Sequence, residues 1–222
     1  MYLLFDFDGT INVSSATYYP AFEKASAYAC SQGLVPSREM DVDEVGYWLG
    51  VGSGALWREY LPEADEKQRK ACKKLMDEEV IRAARGGGAR MFDGVADCLD
   101  KLSSEGHTLL LLSNCTRAYL ETFARAFSLE RWFERLYCGE DYGWKPKSEI
   151  FDDVLCDMGY GGDPADAFVV IGDRYHDFGI ARKHGLRSVG CAYGYGAREE
   201  LADVTSVAED PHGLYGAIES VL

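Results

Sequence analysis

The stretch Leu3-Leu4-Phe5-Asp6-Phe7-Asp8-Gly9-Thr10 begins as an apolar strand and ends in an acidic turn. Residues two apart in a strand point to the same side, so the carboxylates of Asp6 and Asp8 can converge on one metal ion or one phosphate group. Gly9 allows the main chain to approach such a ligand closely. A solvated acidic turn on an edge strand has the same sequence pattern, so this motif alone leaves both interpretations open.

Three later segments also place polar groups where an apolar run stops. They are Leu109 to Leu112 followed by Ser113-Asn114, Leu136 to Cys138 leading toward Lys145-Pro146, and Phe168 to Ile171 followed by Gly172-Asp173 with Asp177 beyond. In open parallel α/β sheets the ligand lies outside the carboxyl ends of the strands. Four segments that are distant in sequence therefore predict one shared site.

Apolar segments of strand length alternate with helical patterns through the second half of the chain. We expect strands at 108–113, 136–140, 167–173 and 187–193, and helices at about 117–127, 148–158 and 177–184. This alternation predicts an α/β fold with a Rossmann-like, doubly wound parallel sheet that has helices on both faces.

Residues 14 to about 85 have helical periodicity and contain no convincing strand. Tyr18, Phe22, Ala25 and Ala29 recur at helical spacing, and another helical stretch covers about 67–82. The sequence Gly86-Gly87-Gly88 then interrupts the pattern and is typical of a hinge or linker. We expect a helical domain at 14–86 that is inserted into an α/β core made of 1–13 and 87–222.

Composition and charge exclude several classes of protein. The chain has 222 residues, 47% of them hydrophobic, and a formal net charge of −14. Nucleic-acid and anionic-membrane binding need clustered Lys and Arg, so neither a nucleic-acid polymer nor a membrane is expected as a partner. For a small phosphate ester to approach this acidic chain, a bound divalent cation and a lysine must reverse the field locally.

Seven cysteines are scattered along the chain, and none is in a Cys-x-x-Cys pair. This pattern indicates reduced thiols and a cytoplasmic location. Cys115 follows Ser113-Asn114 and is a conceivable nucleophile, but no activating partner is evident in the sequence. The first strand begins at the N-terminus of the given sequence, with no charged leader before it, and no apolar run reaches the length of a membrane span.

Taken in order, the four motifs resemble those of the haloacid dehalogenase (HAD) superfamily of phosphotransferases. They are Asp6-Phe7-Asp8-Gly9-Thr10, Ser113-Asn114, Lys145-Pro146, and Gly172-Asp173 through Asp177. The resemblance covers the whole chain and implies a subfamily I member, in which the insert is a small helical cap. Most dehalogenases of the superfamily lack the second aspartate, so Asp8 implies a phosphatase or a phosphomutase. Ile11 and Asn12 depart from the usual pattern, and we expect neither to touch the chemistry.

The resemblance implies a Mg²⁺-dependent reaction through an aspartyl phosphate. Asp6 is expected to be the nucleophile and Asp8 the acid and base. A phosphomonoester dianion repels an anionic nucleophile, so its charge must be neutralised, and Mg²⁺ prefers oxygen ligands. The implied metal ligands are Asp6, Asp8 through its main-chain carbonyl, Asp173 and Asp177. The implied phosphate-binding residues are Gly9, Thr10, Ser113, Asn114 and Lys145, of which Ser113 and Lys145 are also expected to take part in catalysis.

The segment from Cys191 to Leu201 is similar to a branch that contains phosphoglycolate phosphatases and bacterial 5′-nucleotidases. It predicts a phosphatase of small soluble phosphomonoesters: phosphoglycolate, a sugar phosphate or a nucleoside monophosphate. Candidates for substrate selection within the insert are Tyr18, Tyr19, Tyr47, Trp48, Trp57 and Arg58, although their spacing equally suits a helical core. Two alternatives stay open: a phosphomutase of the β-phosphoglucomutase type, and a non-catalytic phosphate-sensing or partner-binding module.

Overall fold

The computed structural model describes residues 1–35 and 53–222. These residues form two compact units, Met1–Asn12 with Met91–Leu222, and Val13–Arg90. The helical insertion that the sequence predicts at 14–86 falls within the second unit. None of the helices in the described ranges is long and apolar enough to cross a bilayer.

The first unit contains a six-stranded parallel sheet. Its strands are β1 (Tyr2–Phe5), β2 (Thr108–Ser113), β3 (Phe133–Cys138), β4 (Phe168–Gly172), β5 (Arg187–Cys191) and β6 (Ser206–Ala208). They lie in the order β3-β2-β1-β4-β5-β6, and every pairing is parallel. The predicted doubly wound α/β fold is confirmed.

Eight α-helices are present in the described residues. They are α1 (Ser15–Ser31), α2 (Ser53–Tyr60), α3 (Glu66–Ala83), α4 (Val95–Ser104), α5 (Arg117–Phe127), α6 (Lys147–Asp157), α7 (Tyr175–His184) and α8 (Leu214–Glu219). The N-termini of two of them have side-chain caps: Thr116 accepts the amide of Tyr119 at α5, and Asp65 forms a reciprocal capping box with Gln68 at α3. Such caps satisfy amides that a helix leaves without an internal partner.

The strand order reverses between β1 and β4: β2 and β3 lie on one side of β1, whereas β4, β5 and β6 lie on the other side. The strands β1 and β4 are therefore neighbours although they are far apart in sequence. Phe5, the last residue of β1, pairs with Leu111 of β2 and Ile171 of β4. The residues that follow these strands therefore leave the sheet at the same level. A reversal of this kind opens a crevice at the carboxyl ends of the strands, which is where ligands bind in this class of fold.

A continuous apolar core anchors α6 and α7 against one face of the sheet. Ile150, Phe151 and Val154 of α6 and Ile180 of α7 are fully or almost fully buried with residues of β1, β2 and β4. Each such side chain contributes about 1.5–3 kcal/mol relative to an exposed one. This packing fixes where the first turns of both helices lie relative to the strand ends.

The second unit has its own core, in which α1 packs against α3. Trp57 is fully buried and stacks on Phe22, with ring centroids 5.7 Å apart. Glu79 is buried and forms ion pairs with Lys24 and Arg82. Trp57 is therefore a core residue of this unit. Tyr47 and Trp48, two further candidates for substrate selection, lie outside the described residues.

Four details differ from the sequence-based expectation. The strand β3 begins at Phe133, three residues before the expected position, while β6 and α8 were not expected. The triple glycine is not a simple linker, because Ala84–Gly88 forms a π-helical turn directly after α3. Gly87 has a φ of 83°, a conformation that glycine adopts without strain and that ends the helix there.

Candidate active site

Asp6 directly follows β1, at the carboxyl end of the strand, beside the point where the strand order reverses. Its amide donates to the carbonyl of Ile171 on β4 at 2.8 Å, so the main chain continues the β1–β4 pairing for one more residue. Its side chain is only 9% exposed, and its Oδ1 accepts a hydrogen bond from Lys147 Nζ at 2.5 Å. A carboxylate and a buried ammonium group therefore meet at the strand end.

Lys147 is the lysine of this site. It is the first residue of α6, its side chain is 3% exposed, and its Nζ also donates to Asp177 Oδ1 at 2.7 Å. Lys145, which the sequence predicted for this position, is half exposed and pairs instead with Asp153 at 3.2 Å. The prediction of Lys145 is corrected to Lys147, because Pro146 separates the exposed loop from the first turn of a buried helix.

A signal for Lys147 is present in the sequence. Lys147, Ile150, Phe151 and Val154 are the buried residues of α6. Positions three and four apart lie on one face of a helix, so the spacing places Lys147 on the same face as the apolar residues. We predicted Lys145 as the phosphate-binding lysine because the Lys145-Pro146 pair resembles a family motif. The helical spacing instead favours Lys147.

Asp173 and Asp177 reach the site from the turn between β4 and α7. Asp177 is 2% exposed, and its Oδ2 accepts the amide of Arg174 at 3.1 Å while its Oδ1 accepts from Lys147. Asp173 is 1% exposed, and its Oδ2 accepts the amide of Tyr195 at 2.7 Å. Within the described residues, Asp173 Oδ1 has no hydrogen-bond partner.

Glycines close around these two carboxylates. A Cβ on Gly9, which has a φ of 85°, would lie 2.2 Å from Asp173 Oδ2, and one on Gly194 would lie 2.4 Å from Asp173 Cβ. A Cβ on Gly172 would lie 2.4 Å from Asp177 Cγ. The main chain thus approaches both aspartates more closely than any residue with a side chain allows.

The arrangement fits a hard divalent cation. Asp6, Asp173 and Asp177 each have one oxygen within 4.8 Å of the others, and all three residues are buried. A buried carboxylate oxygen without a partner, as in Asp173, is costly unless a cation or a proton compensates it. Carboxylate oxygens are the ligands that Mg²⁺ prefers. The carboxyl group of Asp8 is not one of these three.

Burial and mutual repulsion perturb the acids of the site. Burial, followed by the charge of Asp177, raises the pKa of Asp6 to about 7, although Lys147 opposes this shift. Burial and the charges of Asp6 and Asp177 raise the pKa of Asp173 well above its ordinary value. Burial alone would lower the pKa of Lys147, but the carboxylates of Asp177 and Asp6 outweigh it and raise that pKa. Lys147 is therefore a fixed positive charge.

Asp8 has a different environment from Asp6. It is half-buried, and its Oδ1 accepts hydrogen bonds from the Tyr119 hydroxyl at 2.7 Å and from Asn12 Nδ2 at 2.8 Å. Asn12, which we did not expect to touch the chemistry, donates a hydrogen bond to the carboxyl group of Asp8. Asn12 lies four residues after Asp8, and this separation within a tight turn does not predict the contact. Tyr119 lies 111 residues from Asp8 in sequence.

The remaining residues that the sequence predicts for the site differ in how deeply they are buried. Ser113 ends β2 and is buried, whereas Asn114 is exposed. Thr10 is buried, and its carbonyl accepts the hydroxyl of Tyr193 at 2.9 Å. Burial raises the pKa of the Cys115 thiol, which makes its thiolate scarcer and agrees with the view that Cys115 is not a nucleophile.

The fold and the acidic cluster define an α/β protein with a candidate site at the point where the strand order reverses. Comparison with known proteins gives its family: residues 3–191 match the model of the haloacid dehalogenase-like hydrolases. The chain belongs to that family. This membership, together with the phosphatases among its relatives, makes it a phosphoric monoester hydrolase.

Two curated relatives illustrate the similarity. The chain is 27% identical to a phosphoglycolate phosphatase of Agrobacterium fabrum, in an alignment that covers 86% of this chain and 80% of the relative. It is 33% identical to a 5′-nucleotidase of Pseudomonas aeruginosa in an alignment of 113 residues, which covers 50% of this chain and 50% of the relative. In fold it is similar to the crystal structure of a predicted phosphatase from Clostridium acetobutylicum, with a TM-score of 0.79, 21% identity, and coverage of 99% of this chain and 98% of the other.

Proposed function

We propose that the chain is a Mg²⁺-dependent phosphatase that hydrolyses small soluble phosphomonoesters through a phosphorylated Asp6. The observation that supports this most is the buried group formed by Asp6, Lys147, Asp173 and Asp177. It combines a carboxylate at a strand end with a fixed positive charge and two further carboxylates. Attack on a phosphomonoester dianion needs this combination of a positioned nucleophile and charge neutralisation.

Asp6, Asp173 and Asp177 would hold the metal ion. When bound, Mg²⁺ would neutralise charge on the phosphoryl group and orient it. Burial raises the pKa of Asp6 to about 7 in the absence of a cation, and a bound cation would favour its ionised carboxylate.

The residues divide the chemistry among them. An oxygen of Asp6 forms a bond to phosphorus as the bond from phosphorus to the ester oxygen breaks, and Asp8 donates a proton to that ester oxygen. Asp8 then accepts a proton from a water molecule whose oxygen attacks phosphorus, which releases inorganic phosphate and restores Asp6. The ammonium group of Lys147 stabilises negative charge that develops on the phosphoryl oxygens. The hydroxyl of Ser113, at the end of β2, would add a hydrogen-bond donor.

The substrate class is small and anionic. The relatives are named for phosphoglycolate and for nucleoside 5′-phosphates. Phosphoglycolate, sugar phosphates and nucleoside monophosphates therefore form the set of candidate substrates. The net charge of −14 disfavours a polyanionic substrate such as a nucleic-acid strand. One cationic site can neutralise a single phosphate group, but the rest of the polymer would still be repelled by the acidic surface.

Phosphate release from this set of esters tests the proposal. The wild-type protein and Asp6→Asn are assayed side by side, each with Mg²⁺ and with EDTA. We expect release that requires both Mg²⁺ and the Asp6 carboxylate. Release that persists in EDTA or in Asp6→Asn would contradict the proposed mechanism.

The assay also distinguishes the alternatives. Retention of the phosphoryl group, with a requirement for a bisphosphate activator, would indicate a phosphomutase. Metal-dependent binding of the esters without any release would indicate a binding module.

A further inference from the structure

Glu200 connects the segment after β5 with the turn between β4 and α7. It lies in a short 3₁₀ turn that follows the loop after β5. Its carboxylate accepts the amide of Tyr175 at 2.7 Å and, with both oxygens, Nε of Arg174 at 3.2 Å. One carboxylate therefore binds the two residues that come directly after Asp173.

The residues that Glu200 binds also position Asp177. The amide of Arg174 donates to Asp177 Oδ2 at 3.1 Å. Tyr175 is the first residue of α7, and a helix leaves its first amides without internal partners. A carboxylate is favourable at this end of a helix, because the helix dipole is positive there. Glu200 thus stabilises the first turn of the helix that contains Asp177.

The ion pair of Glu200 with Arg174 is mostly shielded from water, since the two side chains are 18% and 17% exposed. Salt screens such a pair less than it screens exposed charges. Leu201, the next residue, is buried, and a Cβ on Gly190 of β5 would lie 2.8 Å from its Cδ2. Packing of Leu201 against β5 therefore fixes the turn that carries Glu200.

The loop between β5 and Glu200 lies directly against Asp173. The amide of Tyr195 donates to Asp173 Oδ2 at 2.7 Å, and a Cβ on Gly196 would lie 1.9 Å from the carbonyl oxygen of Asp173. The amide of Ala197 then donates to Glu200 Oε1 at 3.3 Å. The loop is therefore joined to the turn after β4 both at Asp173 and through Glu200.

This connection bears on cation binding, because a cation needs its carboxylates at a fixed spacing. Oxygens of Asp6, Asp173 and Asp177 lie within 4.8 Å of one another. Negative charges at this distance repel each other, so the chain that carries them must be held if the site is to accept a cation. Loss of groups that orient metal ligands typically weakens metal binding about 10–100-fold.

We propose that Glu200 is a positioning residue, which ties the loop after β5 to the chain between Asp173 and Asp177 and so holds both aspartates at the spacing that a cation needs. This inference rests on the proposed function, in which these aspartates are metal ligands. Glu200 itself neither binds the cation nor exchanges a proton. Its carboxylate acts through Arg174 and Tyr175.

Calorimetric titration of the full-length chain with Mg²⁺ tests the role with Glu200→Gln, which keeps the length of the side chain and removes its charge. We expect the dissociation constant to rise about tenfold, at the lower end of the range for groups that orient metal ligands. The Mg²⁺ concentration for half-maximal phosphate release should rise by the same factor, while kcat at saturating Mg²⁺ and KM for the ester stay near their wild-type values. Hydrogen exchange of the peptide that contains 192–197 should become faster.

Arg174→Met separates positioning from simple charge effects. Loss of a negative charge near the site would by itself weaken cation binding, and loss of a positive charge would by itself strengthen it. Arg174→Met breaks the same ion pair as Glu200→Gln but removes the positive partner. Positioning therefore predicts weaker Mg²⁺ binding in both variants. Tighter binding in Arg174→Met would show that charge alone sets the affinity and would overturn the proposal.

Glu209→Gln is the matched control. Glu209 pairs with Arg198 of the same 3₁₀ turn, but both of these side chains are 63% exposed, and exposed pairs contribute little. Its affinity for Mg²⁺ should equal that of the wild type. Equal affinities in the wild type and Glu200→Gln, even with a lower melting temperature of the variant, would overturn the positioning role alone. Absence of Mg²⁺ binding by the wild type would overturn the proposed function and this inference with it.

Discussion

Lys147 is buried between two carboxylates, and this position determines what its loss does to the protein. Truncation leaves Asp6 and Asp177 buried without their shared cation. Removing one partner from a buried ion pair typically costs about 3–5 kcal/mol. The same ammonium group is proposed to stabilise charge on the phosphoryl oxygens, so stability and activity should fall together.

The variant pair Lys147→Ala and Lys145→Ala tests this assignment. We expect Lys147→Ala to lower kcat about 10²–10³-fold, on the scale of losing one preorganised donor, and to lower the melting temperature. Lys145→Ala should change neither by much, because the exposed pair of Lys145 with Asp153 contributes at most about 1 kcal/mol. Steady-state kinetics and thermal melts of both variants decide the matter. A large loss confined to Lys145→Ala would restore the original prediction.

Asp6→Asn should separate activity from folding. The amide is nearly isosteric with the carboxylate but cannot attack phosphorus, so turnover should fall to background. In the metal-free protein the pKa of Asp6 is raised to about 7, so below that pH the carboxyl group is mostly protonated and the neutral amide should be tolerated there with little loss of stability. Circular dichroism and phosphate release measure the two effects. Substantial turnover by the folded variant would contradict a role for Asp6 as nucleophile.

At the residue scale, sequence reasoning was strongest where a side chain follows a strand. Asp6 and Asp173 come directly after β1 and β4, so the topology alone brings them together. It failed for Lys145 because a two-residue motif outweighed the helical spacing of Lys147. It could not find Tyr119, because a contact that spans 111 residues depends on how α5 packs against the turn after β1.

At the scale of elements, the loop after β5 lies directly against Asp173 of the candidate site. Tyr195 donates its amide to Asp173 there, and Gly194 leaves no space for a side chain. The loop is the segment whose sequence resembles the phosphoglycolate phosphatase branch. Its glycine is explained by contact with Asp173.

Gly194→Ala should therefore weaken metal binding and activity. A methyl group at this position would lie 2.4 Å from Asp173 Cβ and 2.5 Å from its Oδ2, so the carboxylate or the loop must move. Gly179→Ala is the control: Gly179 lies within α7, nothing lies within 4 Å of its added Cβ, and alanine favours helices by about 0.5–1 kcal/mol over glycine. Calorimetric titration with Mg²⁺ compares the two. Equal affinities in the wild type and Gly194→Ala would show that the loop does not constrain Asp173.

The elements themselves were largely predictable from the sequence. The helix expected at 117–127 coincides with α5, and the strand expected at 108–113 coincides with β2, because both are bounded by clear polar or capping residues. The strand β6 has three residues, too short for periodicity to indicate it. The first residues of β3 include the charged pair Glu134 and Arg135, which concealed its beginning.

At the scale of the whole molecule, a buried cluster of acids makes stability depend on pH and on the cation. In the metal-free protein the raised pKa of Asp6 favours the protonated form in the folded state. The unfolded chain loses that proton at lower pH, so stability falls as pH rises through the range up to about 7. A bound cation requires the ionised carboxylate and should reverse this trend.

The rise in melting temperature caused by Mg²⁺ should consequently be larger at about pH 8 than at about pH 5.5, because Asp6 must release a proton on binding at the lower pH. Differential scanning fluorimetry with Mg²⁺ or EDTA at the two pH values measures it. In Asp6→Asn the difference between the two pH values in this rise should become smaller. Part of it should remain, because the pKa of Asp173 is also raised. The same rise at both pH values would contradict protonation of the cluster in the metal-free protein.

Trapping the phosphorylated enzyme tests the central claim, which is that Asp6 accepts the phosphoryl group. Asp8→Asn is mixed with 4-nitrophenyl phosphate and Mg²⁺, quenched with acid, and digested for mass spectrometry. Because the leaving group needs little acid help while water activation needs Asp8, phosphorylated enzyme should accumulate. We predict one phosphoryl group on the peptide that contains Asp6, and none when Asp6 is also changed to Asn. A phosphoryl group on another residue, or release of nitrophenolate with no phosphorylated peptide, would contradict the account.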